Sequence, residues 1–581
     1  MFHRYYQDEL QYLRELGQEF AQAHPAVAHH LAGPGRDPDV ERVLEGFAFL
    51  SARIREKLDD EYPELTHGLM QLLWPHYLRP VPSMAILEMQ PVVQALRQSQ
   101  RVPRGVFVDS VDVDGAPCRF RTCTEVVLHP VTLEDVGMEI RSNGRSSLRL
   151  SLRLSNQARA EQLSLDRLRI HLHGDPTIAY ALYSHLLQHV EETRLTTGGP
   201  DARGAFRPLG IEAAGFAEDE ALIPYPPTAL PGYRHLQEYF ALPQKFLFVD
   251  VTGLDALRTL TVEDRFQVEV RFDRTLPPTL RPTQEEIRLY CTPIVNLFEH
   301  PGDPIRLDRT QTEYRIRPSG KDHFHREVFS IERVSAWDPA ANDSREIPSF
   351  QETLRAGRGE EPFFYSSRLR TSVVDGRADT YLSFLDGRGS PASDFAETVS
   401  IELTCTDRRR PEALRVGDVQ VPTDSSPTFV RFRNITVPTP SVAPPLGGDL
   451  QWRLISHLAL NYLPLVDVEV LRGILELYNF QALRDPQAAR ANARRLEGLQ
   501  AVRSEGRDLL SRGAVVRGSR ITLDVLEDHF AGEGDLFLFS SILNEFVALQ
   551  ATLNSFVQLQ VHGIQGGETL TWPPRTGRDL L

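Results

Sequence analysis

Apolar residues near the start of the chain recur with a helical period. Tyr6, Leu10, Leu13, Gly17 and Phe20 line one stripe, Asp8, Glu9, Arg14, Glu15 and Glu19 take the other faces, and Pro25 closes the pattern. Asp37 is placed as an N-cap ahead of Pro38, which predicts a second helix through Val40, Val43, Leu44, Phe47, Leu50, Ile54 and Leu58. A third begins near Pro63, carries Leu65, Leu69, Leu72 and Leu73, and stops at Trp74 before Pro75, Pro80 and Pro82. Residues 1–83 therefore read as an N-terminal helical region. A unit of about 80 residues makes a marginal core, so stripes this apolar are expected to be covered by another domain or another chain.

From Ser83 the period changes to two. Leu148, Leu150, Leu152 and Leu154 alternate with Arg149, Ser151, Arg153 and Ser155, and the same alternation returns at Phe266, Val268, Val270 and Phe272 and at Val399, Ile401, Leu403 and Cys405. This predicts a β-rich antiparallel middle, divided into one domain at 84–255 with a helical insert and another at 256–445. Helices are expected from Asp175 to about Glu192 and from Gly232 to Ala241. The Pro- and Gly-rich segment Val437 to Gly448 reads as a linker with hinge character. Beyond it, residues 446–581 form a C-terminal α+β region. Its helices run through Leu450, Leu454, Ile455, Leu458 and Tyr462, then Leu471, Leu475 and Tyr478, then onward from Asp485-Pro486. A strand at Ile521 to Leu526 and a helix around Phe537 to Phe556 complete it, so the fold class is α+β multidomain.

At 581 residues the chain is long enough for about four domains, and 41% apolar with 25% charged residues is a globular composition. The net charge of −15 lacks the cationic excess that a phosphate backbone requires, which argues against nucleic acid as a partner. Cys118, Cys123, Cys291 and Cys405 are too few and too scattered for a disulfide framework, which fits a reducing cytoplasm. The opening MFHRYYQDELQ lacks the apolar region of a secretion signal. The uncharged run from Phe546 to Gly567 holds too many Gln, Thr, Asn and Ser residues for hydrocarbon, so no direct membrane insertion is expected.

The search for chemistry returns little. Gly320-Lys321 lacks the upstream glycine of a P-loop, no G-x-S-x-G occurs, and Gly532-Glu533-Gly534 and Gly387-Arg388-Gly389 lack the third glycine of a dinucleotide fingerprint. His185 and His189 have metal-like helical spacing, with Glu191 and Glu192 close by, but no third ligand is identifiable. His323 and His325 alternate on an expected strand. No catalytic residue, cofactor or metal is assigned. What remains is a set of aromatic and apolar segments at the two ends. Tyr5, Tyr6, Tyr12 and Phe20 are aromatic beyond the needs of a lone hairpin, and the tail WPPRTGRDLL sets Trp572 before the stiff Pro573-Pro574 pair and Arg575. Burial within the chain explains the aromatics equally well, and the tail could as well cover its own domain. As an interface, the candidates are Tyr6, Leu10, Leu13, Phe20, Phe47, Leu50, Trp74, Trp572, Pro573, Pro574 and Arg575.

The segments YYQDELQYLRELGQEFAQAHP and DPDVERVLEGFAFLSARIREKLDDEYPELTHGLMQLLWPHYLRPVPSM resemble the opening of the TssF family, also called ImpG or VasA, of type VI secretion baseplates. The resemblance continues through GYRHLQEYFALPQKFLFVDVTGLD, CTPIVNLFEHPGDPIRLDRTQTEYRIRP, WRLISHLALNYLPL, LNSFVQL and WPPRTGRDLL. It implies a structural, non-enzymatic role in a contractile injection system. In such a wedge two TssF copies associate with one TssG through a mixed helical bundle, and TssE and TssK complete it around the VgrG spike and the start of the Hcp tube. The implied place is cytoplasmic, docked to the inner-membrane complex, with the sheath as a possible further contact. The competing reading is a carbohydrate-binding or carbohydrate-active β-sandwich protein, suggested by the β-rich middle and the acidic balance. A deep pocket with converging carboxylates would favour it.

Overall fold

The computed structural model describes all but residues 1–5, 8, 14–37, 60–62, 93–94, 143, 198–206, 227–228, 260–261, 263, 278–279, 308–310, 339–342, 352–362, 373–377, 387–397, 447–466, 512–513, 553 and 578–581. The chain is mixed α+β with several sheets and divides into two compact units. One comprises Met1–Leu78, Arg368–Asp379 and Pro445–Leu458; the other comprises Arg79–Ser367, Thr380–Pro444 and Ala459–Leu581.

In the first unit α1 runs Pro38–Asp59 and α2 runs Pro63–Leu73, and residues 6–7 and 9–13 are helical. Phe20, the Asp37 cap and Pro25 lie outside the described residues. The backbone amide of Trp74 donates to the Met70 carbonyl at 2.7 Å, and a tight turn, Pro75–Leu78, follows because proline cannot continue the ladder.

Most of the strands lie in the second unit. The alternating strand Ser146–Leu154 is buried at its even positions from Leu148 to Leu154, and Arg265–Phe272 pairs with it antiparallel while burying Phe266, Val268, Val270 and Phe272. Thr398–Thr406 does the same with Val399, Ile401, Leu403 and Cys405, which enter a core shared with Val334, Ala336, Leu382 and Phe384. Strands from either side of residue 255 share sheets, as when Cys291–Val295 pairs with Met84–Pro91.

The helix α3 (Pro176–Gln188) starts as expected, with Asp175 Oδ1 accepting from the Thr177 amide at 2.8 Å. It ends sooner than the sequence suggests. Val190–Thr197 is a strand paired with Arg265–Phe272, so Glu191 and Glu192 leave the helix for the sheet, where the run Val190–Thr197 finds a ladder to complete. The helix α4 (Pro231–Ala241) agrees with expectation. His323 and His325 sit on a tight helical turn rather than a strand.

The C-terminal part contains α5 (Val468–Tyr478) and α6 (Pro486–Glu497); Asp485 caps the latter by accepting from Gln487 and Ala488. The helices expected through Leu450 to Tyr462 lie outside the described residues. The helix α7 runs Glu533–Val547, and Phe556 belongs instead to the strand Ser555–Gly563, which lies parallel to Ala514–Val525. Phe556, Val557, Leu559 and Val561 are buried, as suits a strand covered by α7. Strand, α7 and strand together make a βαβ unit.

The expected linker is no free hinge as far as it is described. Val442 and Val81 exchange both backbone hydrogen bonds, at 2.8 and 2.9 Å, and the Thr439 amide donates to the Met84 carbonyl at 2.8 Å. The Gln481 side chain donates to the Pro440 carbonyl at 3.2 Å. A Pro-rich segment cannot satisfy its polar groups internally, so it borrows the edge of a neighbouring strand and is tied down.

Candidate interaction surfaces

The helix α1 exposes the wrong side for a self-contained fold. Val43, Phe47 and Leu50 fall at i, i+4 and i+7 on one stripe and are 70%, 58% and 61% exposed. Ala48 and Ala52 lie on the opposite face and are fully buried. Alanine offers little apolar area and lets backbones approach, whereas each of the exposed side chains forgoes about 1.5–3 kcal/mol of burial. These three side chains form the exposed apolar stripe of α1.

The other sequence candidates divide. Tyr6, Leu10 and Leu13 are half-buried, and Tyr12 is exposed. Trp74 is buried with Met70, His76 and Tyr77, its ring 5.2 Å from that of His76, so it belongs to a core rather than to a free surface. Trp572 stacks on Phe537 of α7 with centroids 5.8 Å apart and planes 15° from parallel, and its carbonyl accepts from Gln558 Nε2 at 3.1 Å. Arg575 pairs with Glu545 of the same helix. From Trp572 to Arg575 the tail is therefore docked on its own α7, with Pro573 and Pro574 facing solvent.

One exposed feature escaped the sequence reading. Leu499–Ser511 and Ala514–Val525 form a long hairpin whose outer part is exposed on both strands, with Leu510 opposite Val515 at its tip, 74% and 69% exposed. The signal was present as Leu509-Leu510 and Val515-Val516 flanking Ser511-Arg512-Gly513, but too few residues alternate there to separate strand from helix.

The reactive side chains are locked away. All four cysteines are free and buried, and burial pushes the thiols of Cys118, Cys123 and Cys405 up to about 12, so none is a nucleophile. His185 Nδ1 is bonded to the Ala181 carbonyl at 2.9 Å, and His189 Nδ1 lies 3.3 Å from Asp273. Among the described residues no group of three or more His, Cys, Asp or Glu side chains could hold a metal ion.

A polar cavity of about 460 Å³ lies over the strands that carry Arg169, Glu212 and Asp250. Its buried carboxylates are already occupied. Arg169 holds Asp250 through two bonds, 2.8 and 2.9 Å, and also grips Glu220, which accepts from the Gly215 and Ala217 amides. Burial raises the Glu220 carboxyl, but Arg169 and those amides outweigh it and keep the group below the ordinary range. A glycosidase acid needs the opposite shift. The arrangement braces the fold and does not form a hydrolytic pair.

No helix among the described residues is long and apolar enough to cross a membrane. The model of the family described as "Type VI secretion system, TssF" matches residues 1–579. The type VI secretion system component TssF1 of Pseudomonas aeruginosa is 32% identical over 99% of this chain and 98% of its own. The structure is similar to a chain of the type VI secretion TssK-TssF-TssG baseplate subcomplex seen by cryo-electron microscopy, with a TM-score of 0.78 and 32% identity over 92% of this chain and 99% of that one. A chain from another type VI baseplate complex aligns over 100% of both, with a TM-score of 0.65 and 28% identity. With a family match over residues 1–579 and a relative 32% identical over 99% of the sequence, the chain belongs to the TssF family of type VI secretion baseplate components.

Proposed function

We propose that this chain is a wedge scaffold of a type VI secretion baseplate, without catalysis, whose N-terminal helices are covered by a TssG subunit. The uncovered stripe of Val43, Phe47 and Leu50 on α1 carries this reading, because a partner that covers an apolar helix face this open gains by removing it from water. The TssK-TssF-TssG subcomplex that contains a similar chain supplies the partner classes. In the full assembly two copies of this chain join one TssG in a mixed helical bundle, in which Leu13 and Phe20 also contribute. TssE and TssK complete the wedge around the VgrG spike, from which the Hcp tube and sheath grow, and the whole is held in the cytoplasm against the inner-membrane complex.

The proposal is tested by co-expression with TssG. Phe47 and Leu50 are exposed, so the double variant F47D/L50D keeps the isolated fold, while two carboxylates buried in an apolar seam cut recovery of the complex by about tenfold or more. Unchanged recovery, with thermal unfolding also unchanged, contradicts it.

A further inference from the structure

The hairpin of Leu499–Ser511 and Ala514–Val525 ends its sheet on one side. Ala514–Val525 is paired on both sides, with Leu499–Ser511 and with Ser555–Gly563, whereas Leu499–Ser511 has a strand on one side only among the described residues. The base of this edge is tied down, since Arg472 of α5 donates to the Leu499 carbonyl. From Arg503 to Asp508 every residue is exposed, and Leu510 is 74% exposed. No proline interrupts the strand, and its one irregularity of register lies at the base, between Leu499 and Ala501. A long edge of this kind offers a row of backbone N–H and C=O groups to a further strand.

The side chains select which strand fits. Arg503 donates to Asp524 at 2.7 Å, and Arg517 lies 3.5 Å from Asp508. Glu505 is directly opposite Arg520, whose guanidinium goes to Gln558 instead, and Arg507 reaches Gln558 only at 3.5 Å. Glu505 and Arg507 therefore stand two apart on one face of an open edge, with opposite charge. Such a pair is complementary to itself when reversed. A second copy of the strand, antiparallel about a two-fold axis at Gly506, sets Glu505 against the partner's Arg507 and Arg507 against the partner's Glu505. In the same register Ser504 meets the partner's Asp508, and Leu510 meets the partner's Val502. Centring the axis on Glu505, Arg507 or Asp508 would set a charge against its own copy. At Gly506 the axis meets no side chain, and a Cβ there would have nothing within 4 Å.

We propose that Leu499–Ser511 pairs antiparallel with the same strand of a second copy of this chain, centred on Gly506, so that the two sheets become one. Charge complementarity selects this occupant, and covering Leu510 adds to it. One strand from each partner makes less than a standard interface, so the pairing is weak by itself and gains from any other contact that holds two copies together. It uses neither α1 nor TssG, so it stands or falls apart from the α1 reading.

The test uses the full chain with single added cysteines, because the four native thiols are buried. Directly opposite Cα atoms of an antiparallel pair lie about 4.5–5.5 Å apart, within disulfide reach. Ser504 would lie about 13 Å along the strand from its own copy. Under oxidised glutathione G506C is expected to give a reducible covalent dimer about tenfold faster than S504C. E505R and R507E each set like charges opposite one another twice and should raise the dissociation constant in sedimentation equilibrium about tenfold, whereas E505R/R507E restores opposite pairs and the original value. The thermal midpoint stays put in all of these because the side chains are exposed. Equal cross-linking of G506C and S504C, a double reversal no better than the singles, or a chain that stays monomeric at every concentration overturns the proposal and leaves the edge to a different protein.

Discussion

Lys245 and Glu238 form an ion pair in which both side chains are only 1% exposed. Burial lowers the Lys245 ammonium and Glu238 opposes that shift, while Glu238 also accepts from the Leu222 amide at 2.8 Å. Such a pair adds little over apolar packing, but removing one member strands the other. E238Q is expected to cost about 3–5 kcal/mol, and E238L/K245M far less, in denaturant midpoints. Histidines set a second expectation. Burial lowers His129 to about 4 and His171 to about 3, from an unfolded value of 6.5. The unfolded chain thus binds more protons in the window below 6.5, and the stability held by neutral imidazoles falls as pH drops through it. The thermal midpoint should fall between about pH 7 and pH 5, and by less in H171L. The variant isolates the imidazole, because buried Asp407, whose carboxyl is pushed up by burial, acts in the opposite direction. An equal fall in H171L would contradict this.

At the scale of the element, α7 is the piece on which α3 and α4 both pack. Gly534 makes the close approach possible, since a Cβ there would stand 2.0 Å from the Tyr180 carbonyl oxygen of α3. G534A should therefore lower the thermal midpoint by several degrees, corresponding to about 1–3 kcal/mol of overpacking, and an unshifted midpoint would show that the helices can slide apart. Elements of this kind were legible wherever one rule dominated. The strands at Leu148–Leu154 and Phe266–Phe272 announce themselves by alternation, and α6 by Asp485-Pro486. Elements decided by a remote partner were not legible: the end of α3 depends on a strand some eighty positions away, and the Pro-rich segment near Val442 on Val81. On α1 the period was plain, but its outward face was not. Apolar residues occupy both sides, and only the fold shows that the alanines face inward and Val43, Phe47 and Leu50 outward. The tail posed the same problem, since Trp572 before two prolines suits a partner as well as the Phe537 on which it lies.

Across the whole molecule, the four thiols are buried, and Asp250 and Glu220 at the polar cavity are held by Arg169. Its second unit holds most of the strands and internal ion pairs, while the first presents α1 with Val43, Phe47 and Leu50 uncovered. A scaffold is expected to combine rigidity with incomplete self-coverage. The most direct measurement is the native mass of the full chain co-expressed with TssG. A stable complex with two copies of this chain to one TssG, lost in F47D/L50D, is the expected result; a folded monomer that leaves TssG unbound is the opposite one.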